Sequence, residues 1–367
     1  MQRPAERRLR PVSTGPKPVN LALQGGGAHG AFSWGVIDRL LEDGRVSIES
    51  ISGTSAGAMN AVVAADGLAE GGRDRAREKL ERFWRRISLE SLASPIRRSF
   101  FDMMFSSWSL DHNPALFMID MVTRVVSPYQ FNPLNFNPLR DVLACEVDFD
   151  RISRADAVRL FVSATNVHTG KVRVFKGDEI TADAVMASAC LPFAFQAVEI
   201  DGMPYWDGGY MGNPVLFPFY ECTSPDVILV QTIPICRPTT PRTAREILDR
   251  VHEISFNASL VKELTNVEYV NRGIRAGTLS GEGLKELYLH AITNGHEFEG
   301  LSPSSKLNAE WAFLVHLRDL GRAAAKAWLR LNFDRIGREG TLDFGEIGSD
   351  APLLVQQARN ADRKTGA

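Results

Sequence analysis

Ser55 stands in Gly53-Thr54-Ser55-Ala56-Gly57, directly after an apolar run and before the small-residue stretch Ala58-Met59-Asn60-Ala61-Val62-Val63. A serine hydroxyl becomes an acyl-transfer nucleophile when its oxygen projects clear of the backbone, and a sharp strand-to-helix turn gives that projection. Such a turn crowds the positions two before and two after the serine, which is why glycines fit at 53 and 57. The start of the following helix adds backbone N–H groups and the positive end of its dipole beside the developing negative charge. The chemistry implied is attack on a carbonyl, forming an acyl-enzyme that water then opens.

Two further motifs bear on that chemistry. Gly25-Gly26-Gly27-Ala28-His29-Gly30 follows a short strand pattern and precedes a helix. Its Gly25-x-Gly27-x-x-Gly30 spacing fits a dinucleotide-binding loop, but the acid that should close the second strand is represented only by Glu49, inside the strand pattern. An oxyanion hole explains the glycines better, because bare backbone N–H groups can approach an acyl oxygen unobstructed. The serine also needs a base. Asp207, in Asp207-Gly208-Gly209, ends a hairpin strand, and its two glycines allow another backbone to come close. The alternative is a Ser-Asp-His triad drawing on His252, His290, His296 or His316, all in the mainly helical C-terminal region.

These residues need a scaffold that delivers them to one place. Val19 to Leu23 and Val46 to Ile51 read as buried strands. Between them, Phe32, Val36, Ile37, Leu40 and Leu41 recur at helical spacing until Asp43-Gly44. Strand, loop, helix, strand, turn and helix in that order predict an α/β domain with a mainly parallel sheet. Both glycine motifs then fall at carboxyl ends of strands, where open α/β sheets hold their ligands.

Further strands are expected at 159–164, 172–175, 197–200, 203–206, 226–233 and 287–292, with Asp201-Gly202 as a hairpin turn. Helices are expected at 73–87, 181–189, 242–264, 266–279 and 308–331. The helix at 73–87 carries a basic face of Arg73, Arg75, Arg77, Lys79, Arg82, Arg85 and Arg86. Beside it, residues 100–126 are rich in methionine and aromatics, which suits either a lid over an acyl-chain pocket or an irregular core. Basic charge next to apolar groups suggests peripheral contact with an anionic membrane surface.

Composition narrows the function classes. A chain of 367 residues, 44% hydrophobic and 23% charged, is ordinary for a large globular protein. Its net charge of −2 gives no case for nucleic-acid binding. Cys145, Cys190, Cys222 and Cys236 lack metal-ligand spacing and read as structural thiols in a reducing, cytoplasmic setting. Ala182 to Ile200 is the most apolar stretch, and Pro192 with its interspersed polar residues rules it out as a membrane span. Residues 1–18 read as a disordered basic tail.

The three motifs, in this order and spacing, resemble the patatin-like phospholipases, as does the block Ala187-Ser188-Ala189-x-x-Pro192-x-x-Phe195 ahead of the aspartate. The resemblance runs from Leu21 to about Tyr220. It implies a three-layer α/β/α fold and a Ser55–Asp207 dyad in which serine is nucleophile and aspartate is base. It further implies oxyanion-hole amides from Gly25, Gly26 and Gly27, with Gly30, Gly53, Gly57, Gly208 and Gly209 as motif glycines. The implied activity is hydrolysis of lipid carboxylic esters, of phospholipase A, lysophospholipase or esterase type, with no metal or organic cofactor. An acyltransferase using the same residues and a non-catalytic lipid- or nucleotide-binding module are the alternatives. His29 departs from the family, where Arg or Lys is common, and would make the charge beside the glycine loop pH-dependent. The expected layout is a catalytic domain at 19–235, a helical extension at 236–345 packed on it, and a flexible tail at 346–367.

Overall fold

The apolar run ending at Leu23 becomes a central strand because both of its faces are covered. In the computed structural model, which describes residues 15–342 except 94–97, 99–107, 112, 124, 156, 238, 282, 294–296 and 299, eight strands form one sheet. They are β1 (Lys17–Leu23), β2 (Val46–Gly53), β3 (Arg159–Asn166), β4 (Val172–Lys176), β5 (Val198–Ile200), β6 (Met203–Asp207), β7 (Asp226–Val230) and β8 (Tyr288–Ile292). The order is β5-β6-β3-β2-β1-β7-β8, with β4 also paired to β3. The run β3-β2-β1-β7-β8 is parallel throughout, while β4, β5 and β6 pair antiparallel. The expected mainly parallel sheet is therefore present.

Helices sandwich this sheet. Along the central strands, side chains alternate between two cores, as the two-residue period of a strand requires. Leu21, Leu23, Val162, Ile228 and Val230 enter one core, with α1 (Gly30–Asp43) and the first half of α2 (Ala56–Glu90). Ala22, Phe161, Val227 and Leu229 face the other, with Leu260, Leu264 and Val267. α1 stops where the sequence said it would, at Gly44 with φ 71°. α2 breaks at Gly71 and Gly72, the latter at φ 76° and ψ −155°, so the amphipathic helix expected at 73–87 starts afresh after that break. Between α2 and β3 lie α3 (Pro114–Thr123), α4 (Pro138–Glu146) and α5 (Phe149–Arg154); α6 (Ala182–Ser188) precedes β5.

The C-terminal region is woven into the fold. The two helices expected at 242–264 and 266–279 are one, α7 (Ala244–Arg275), which supplies Leu260, Leu264 and Val267 to the second core. β8 extends the parallel sheet beyond β7, and α8 (Trp311–Asn332) lies against α1. That crossing is close: a Cβ on Gly35 would sit 1.9 Å from the Arg318 carbonyl oxygen, and one on Gly321 would sit 2.1 Å from that of Phe32. In an isolated helix, Gly→Ala stabilises by about 1 kcal/mol. Here the overlap with backbone outweighs it, and Gly35→Ala should destabilise by about 2 kcal/mol or more. A thermal melt showing Gly35→Ala at or above the wild-type midpoint would contradict this crossing.

β1 begins at Lys17, whose ammonium donates to the Phe333 and Ile336 carbonyls, so the first strand takes in the end of the expected tail. Residues 1–14 and 343–367 lie outside the described residues, as do 100–107, 112 and 124 of the methionine- and aromatic-rich segment. In its described part, Phe117, Met118 and Met121 of α3 are exposed rather than buried in an irregular core.

The basic face at 73–86 needs correction. Arg75 pairs with Glu70 and Glu78, Arg77 with Asp38 and Glu42, and Lys79 with Asp66 and Glu70. Arg82 and Arg86 both reach Glu146. Five of the seven basic side chains are thus paired with acids, and the sequence could not show all of this because Asp38, Glu42 and Glu146 lie on other helices.

Candidate active site

Strand register brings the serine and the aspartate together. β3 is paired three times over. Phe161 and Val162 pair with β2 on one side and β4 on the other, while Ala164 pairs with β4 and β6. Two strands bonded to the same residue must lie on opposite edges of it, so β2 and β6 share one edge of β3, end to end. β2 runs parallel to β3 and finishes with Gly53 opposite Val162; β6 runs antiparallel and finishes with Asp207 opposite Ala164. The two carboxyl ends therefore converge two residues apart along β3, at the start of the Ser55 turn.

That turn has the conformation the motif demands. Ser55 sits at φ 54° and ψ −123°, a region costly for any residue with a Cβ. A Cβ on Gly53 would fall 2.6 Å from the Gly57 carbonyl oxygen, and one on Gly57 would fall 2.2 Å from that of Leu23. Turn and strand are clamped: Thr54 Oγ1 donates to the Gly212 carbonyl at 2.6 Å, and the Ser55 N–H donates to Ser188 Oγ at 2.8 Å. Ser188 is wholly buried at the end of α6.

Asp207 is buried, at 1% exposure. Its Oδ1 accepts the Gly209 N–H at 2.7 Å, and the nearby Ser55 side chain favours the ionised carboxylate. Burial raises the carboxyl from its ordinary 3.8 to about 7, against the opposing pull of the Gly209 N–H and the Ser55 hydroxyl. The backbone is pinned as well: the Asp207 N–H donates to the Cys190 carbonyl at 2.8 Å, and Thr165 Oγ1 donates to the Asp207 carbonyl at 2.8 Å. Gly208 leaves room for the Ser163 carbonyl, and Gly209 for the Phe256 ring of α7. Phe256 is thus part of the apolar cover beside the carboxylate. Tyr205, two residues before the aspartate, packs on Phe175 instead.

The glycine loop lies against the serine. A Cβ on Gly25 would sit 2.9 Å from Ser55 Cβ, and one on Gly30 would sit 2.7 Å from Ala56 Cβ. Gly25 differs from its neighbours, because its N–H is already donated to Asn213 Oδ1 at 2.8 Å. No acceptor is present among the described residues for the Gly26 or Gly27 N–H. Gly26 lies beside Thr232, while Gly27, at φ 59°, lies against the Lys306 carbonyl.

His29 does not supply a charge that varies near neutrality. It is buried, Nε2 contacts Ser305 Oγ at 2.8 Å, and burial with the nearby Lys306 charge lowers its pKa to about 3. Glu49 also has another use: it accepts the backbone N–H groups of Thr223 and Ser224, which removes it as a ribose-binding acid. Of the histidines considered for a triad, His290 is held by Asp226 and Thr341, and His316 stacks on Trp108. His252 is exposed on α7, and His296 lies outside the described residues.

A model of the patatin-like phospholipase family matches residues 21–220, more than half of the chain and spanning the glycine loop, the serine turn and the aspartate. The chain belongs to the patatin-like phospholipase family. Solved structures similar to it include VipD from Legionella pneumophila, at 15% identity and a TM-score of 0.35, covering 83% of this chain and 67% of that one. The type III effector ExoU matches at 13% identity and a TM-score of 0.33, covering 86% of this chain and 54% of that one. Full-length ExoU of Pseudomonas aeruginosa, in complex with SpcU, matches at 15% identity and a TM-score of 0.28, covering 96% and 78%. No curated protein matches the sequence. Among the described residues, no helix is long and apolar enough to cross a membrane.

Within this patatin-like site, sequence reasoning missed the residues that hold its parts in place. Asn213 fixes Gly25. Gln24 Oε1 accepts the Thr232 and Ile233 N–H groups, and Gln24 Nε2 donates to Asn257 of α7. Ser188 had a signal, since it falls in the block shared with the family. Asn213, Gln24 and Asn257 had none, because their partners are 188 to 233 residues away.

Proposed function

We propose that this patatin-like protein is a serine hydrolase of lipid carboxylic esters working through a Ser55–Asp207 dyad. One observation carries the reading: strand register brings the Ser55 turn to the buried Asp207 carboxylate, whose pKa burial raises to about 7. An aspartate at its ordinary pKa is a poor acceptor for a serine proton, and one near 7 is well matched to neutral pH. Ser55 Oγ attacks the acyl carbon as its proton passes to Asp207. The carbonyl electrons move to oxygen, where the N–H groups of Gly26 and Gly27 and the start of α2 stabilise the charge. Collapse expels the alcohol, which takes the proton from Asp207 and leaves Ser55 acylated. Water then attacks the acyl-enzyme, giving one proton to Asp207 and releasing the acid and the free serine.

Fluorophosphonate labelling with peptide mapping tests this reading, followed by turnover on a panel of acyl esters. Label should appear on Ser55. Because the reactive form carries ionised Asp207, the labelling rate should climb with pH through a midpoint near 7 and level off above it. No label on Ser55 would overturn the nucleophile. A rate flat from acid to alkaline pH would overturn the base.

A further inference from the structure

Next to the dyad, between residues 129–137, α6 and β5, lies a cavity of about 400 Å³. Such a volume suits a small-molecule group. Its wall is shared with the dyad. Met186, in the lining, is two residues before Ser188, which holds the Ser55 N–H; Cys190, also in the lining, holds the Asp207 N–H through its carbonyl. The lining is thus continuous along the chain with the segments that hold Ser55 and Asp207, although neither residue lines the cavity itself.

The loops around the cavity are tied to each other. Gln196 Nε2 donates to the Asn132 carbonyl at 2.8 Å, and the Ala197 N–H donates to Tyr129 Oη at 3.3 Å. Asn135, in the lining, holds a positive φ of 50°. The charges fix the sign of the ligand. Arg140 and Asp183 pair with each other at 2.7 Å and cancel. Glu199, exposed at the rim on β5, has no hydrogen-bond or ion-pair partner for its carboxylate among the described residues, and the exposed Tyr129 and half-buried Phe195 add two aromatic rings to the same lining. An unpaired carboxylate and aromatic rings in one lining select an organic cation over an anion, through Coulomb attraction and the negative faces of the rings.

We propose that this cavity is a subsite for an organic ammonium group, such as the head of a choline-bearing lipid ester. The assignment of that group to a substrate rests on the lipid-ester reading above; the cation site itself does not. Full-length Ser55→Ala protein titrated calorimetrically with tetramethylammonium chloride, against sodium chloride as control, should show saturable binding. Glu199→Gln and Tyr129→Leu should each weaken it by about tenfold. In proteins retaining Ser55, the same two substitutions should lower the ratio of kcat/KM on phosphatidylcholine to that on phosphatidylglycerol. Non-saturable binding, binding indifferent to both substitutions, or an unchanged ratio would overturn the subsite. Saturable, Glu199-dependent binding in a protein that fails to label at Ser55 would instead sink the hydrolase reading and leave a cation site standing.

Discussion

Ser55→Ala should lower ester turnover by about a millionfold while leaving the protein folded. The loss is so large because the other parts of the site act on a reaction that serine must begin. Without Oγ, Asp207 has no proton to accept and the glycine loop no tetrahedral oxyanion to stabilise. The fold should survive because alanine keeps the Ser55 N–H that Ser188 accepts, and it fits wherever serine fits. Ser55→Gly supplies a second reading of the same position. At φ 54° and ψ −123° a side chain is strained, so glycine should raise stability over alanine by about 1 kcal/mol, the strain relieved exceeding glycine's extra chain entropy. Both variants should be equally inactive in the ester assay. A folded Ser55→Ala protein with ordinary turnover would remove the nucleophile assignment, and a glycine variant less stable than alanine would remove the strained turn.

Much of this site is legible in the sequence because local geometry leaves few choices of residue. Gly53 and Gly57 are required by atoms within four residues or in the next strand. The turn at Asp201-Gly202 needs positive φ at both positions, 53° and 74°, and its residue types announce it. β7, buried on both faces, reads as a nearly unbroken apolar run and β1 as a short one, while β2 shows through Val46, Ile48 and Ile51, which is why all three fall close to where they are expected. What stays hidden depends on pairing at long range. Nothing local says that β6 will share an edge of β3 with β2, yet that register is what carries Asp207 to Ser55. Nor does a polar residue announce its partner: Asn213 reads as a loop asparagine until its Oδ1 is seen to engage Gly25. The same blindness made residues 73–86 look like a docking face, since Asp38, Glu42 and Glu146 are remote in sequence from the charges they neutralise. In the C-terminal region, periodicity located helices and a strand but not their role in completing the sheet and covering α1.

Asp207→Asn should reduce turnover by about 10³- to 10⁴-fold, somewhat less than loss of the serine, because an amide can fill the space but cannot accept the proton. Stability should move the other way, and the sign follows from the raised pKa. The native carboxyl holds its proton up to about 7, whereas in the unfolded chain it releases it near 3.8. Between those values the unfolded state binds fewer protons, so wild-type stability falls as pH rises through that window and is level outside it. Asparagine does not titrate. The melting temperature of Asp207→Asn relative to wild type should therefore climb from about pH 4 to about pH 7 and then hold. A purely structural aspartate, paired and lowered in pKa, would give the opposite trend. The triad alternative is separated by the histidines: alanine at His252 or His316 should leave most of the activity, since neither contacts Ser55 or Asp207 among the described residues. If an alanine at either position abolished turnover in a folded protein while Asp207→Asn retained it, the proton would be going to a histidine and the dyad would have to be abandoned.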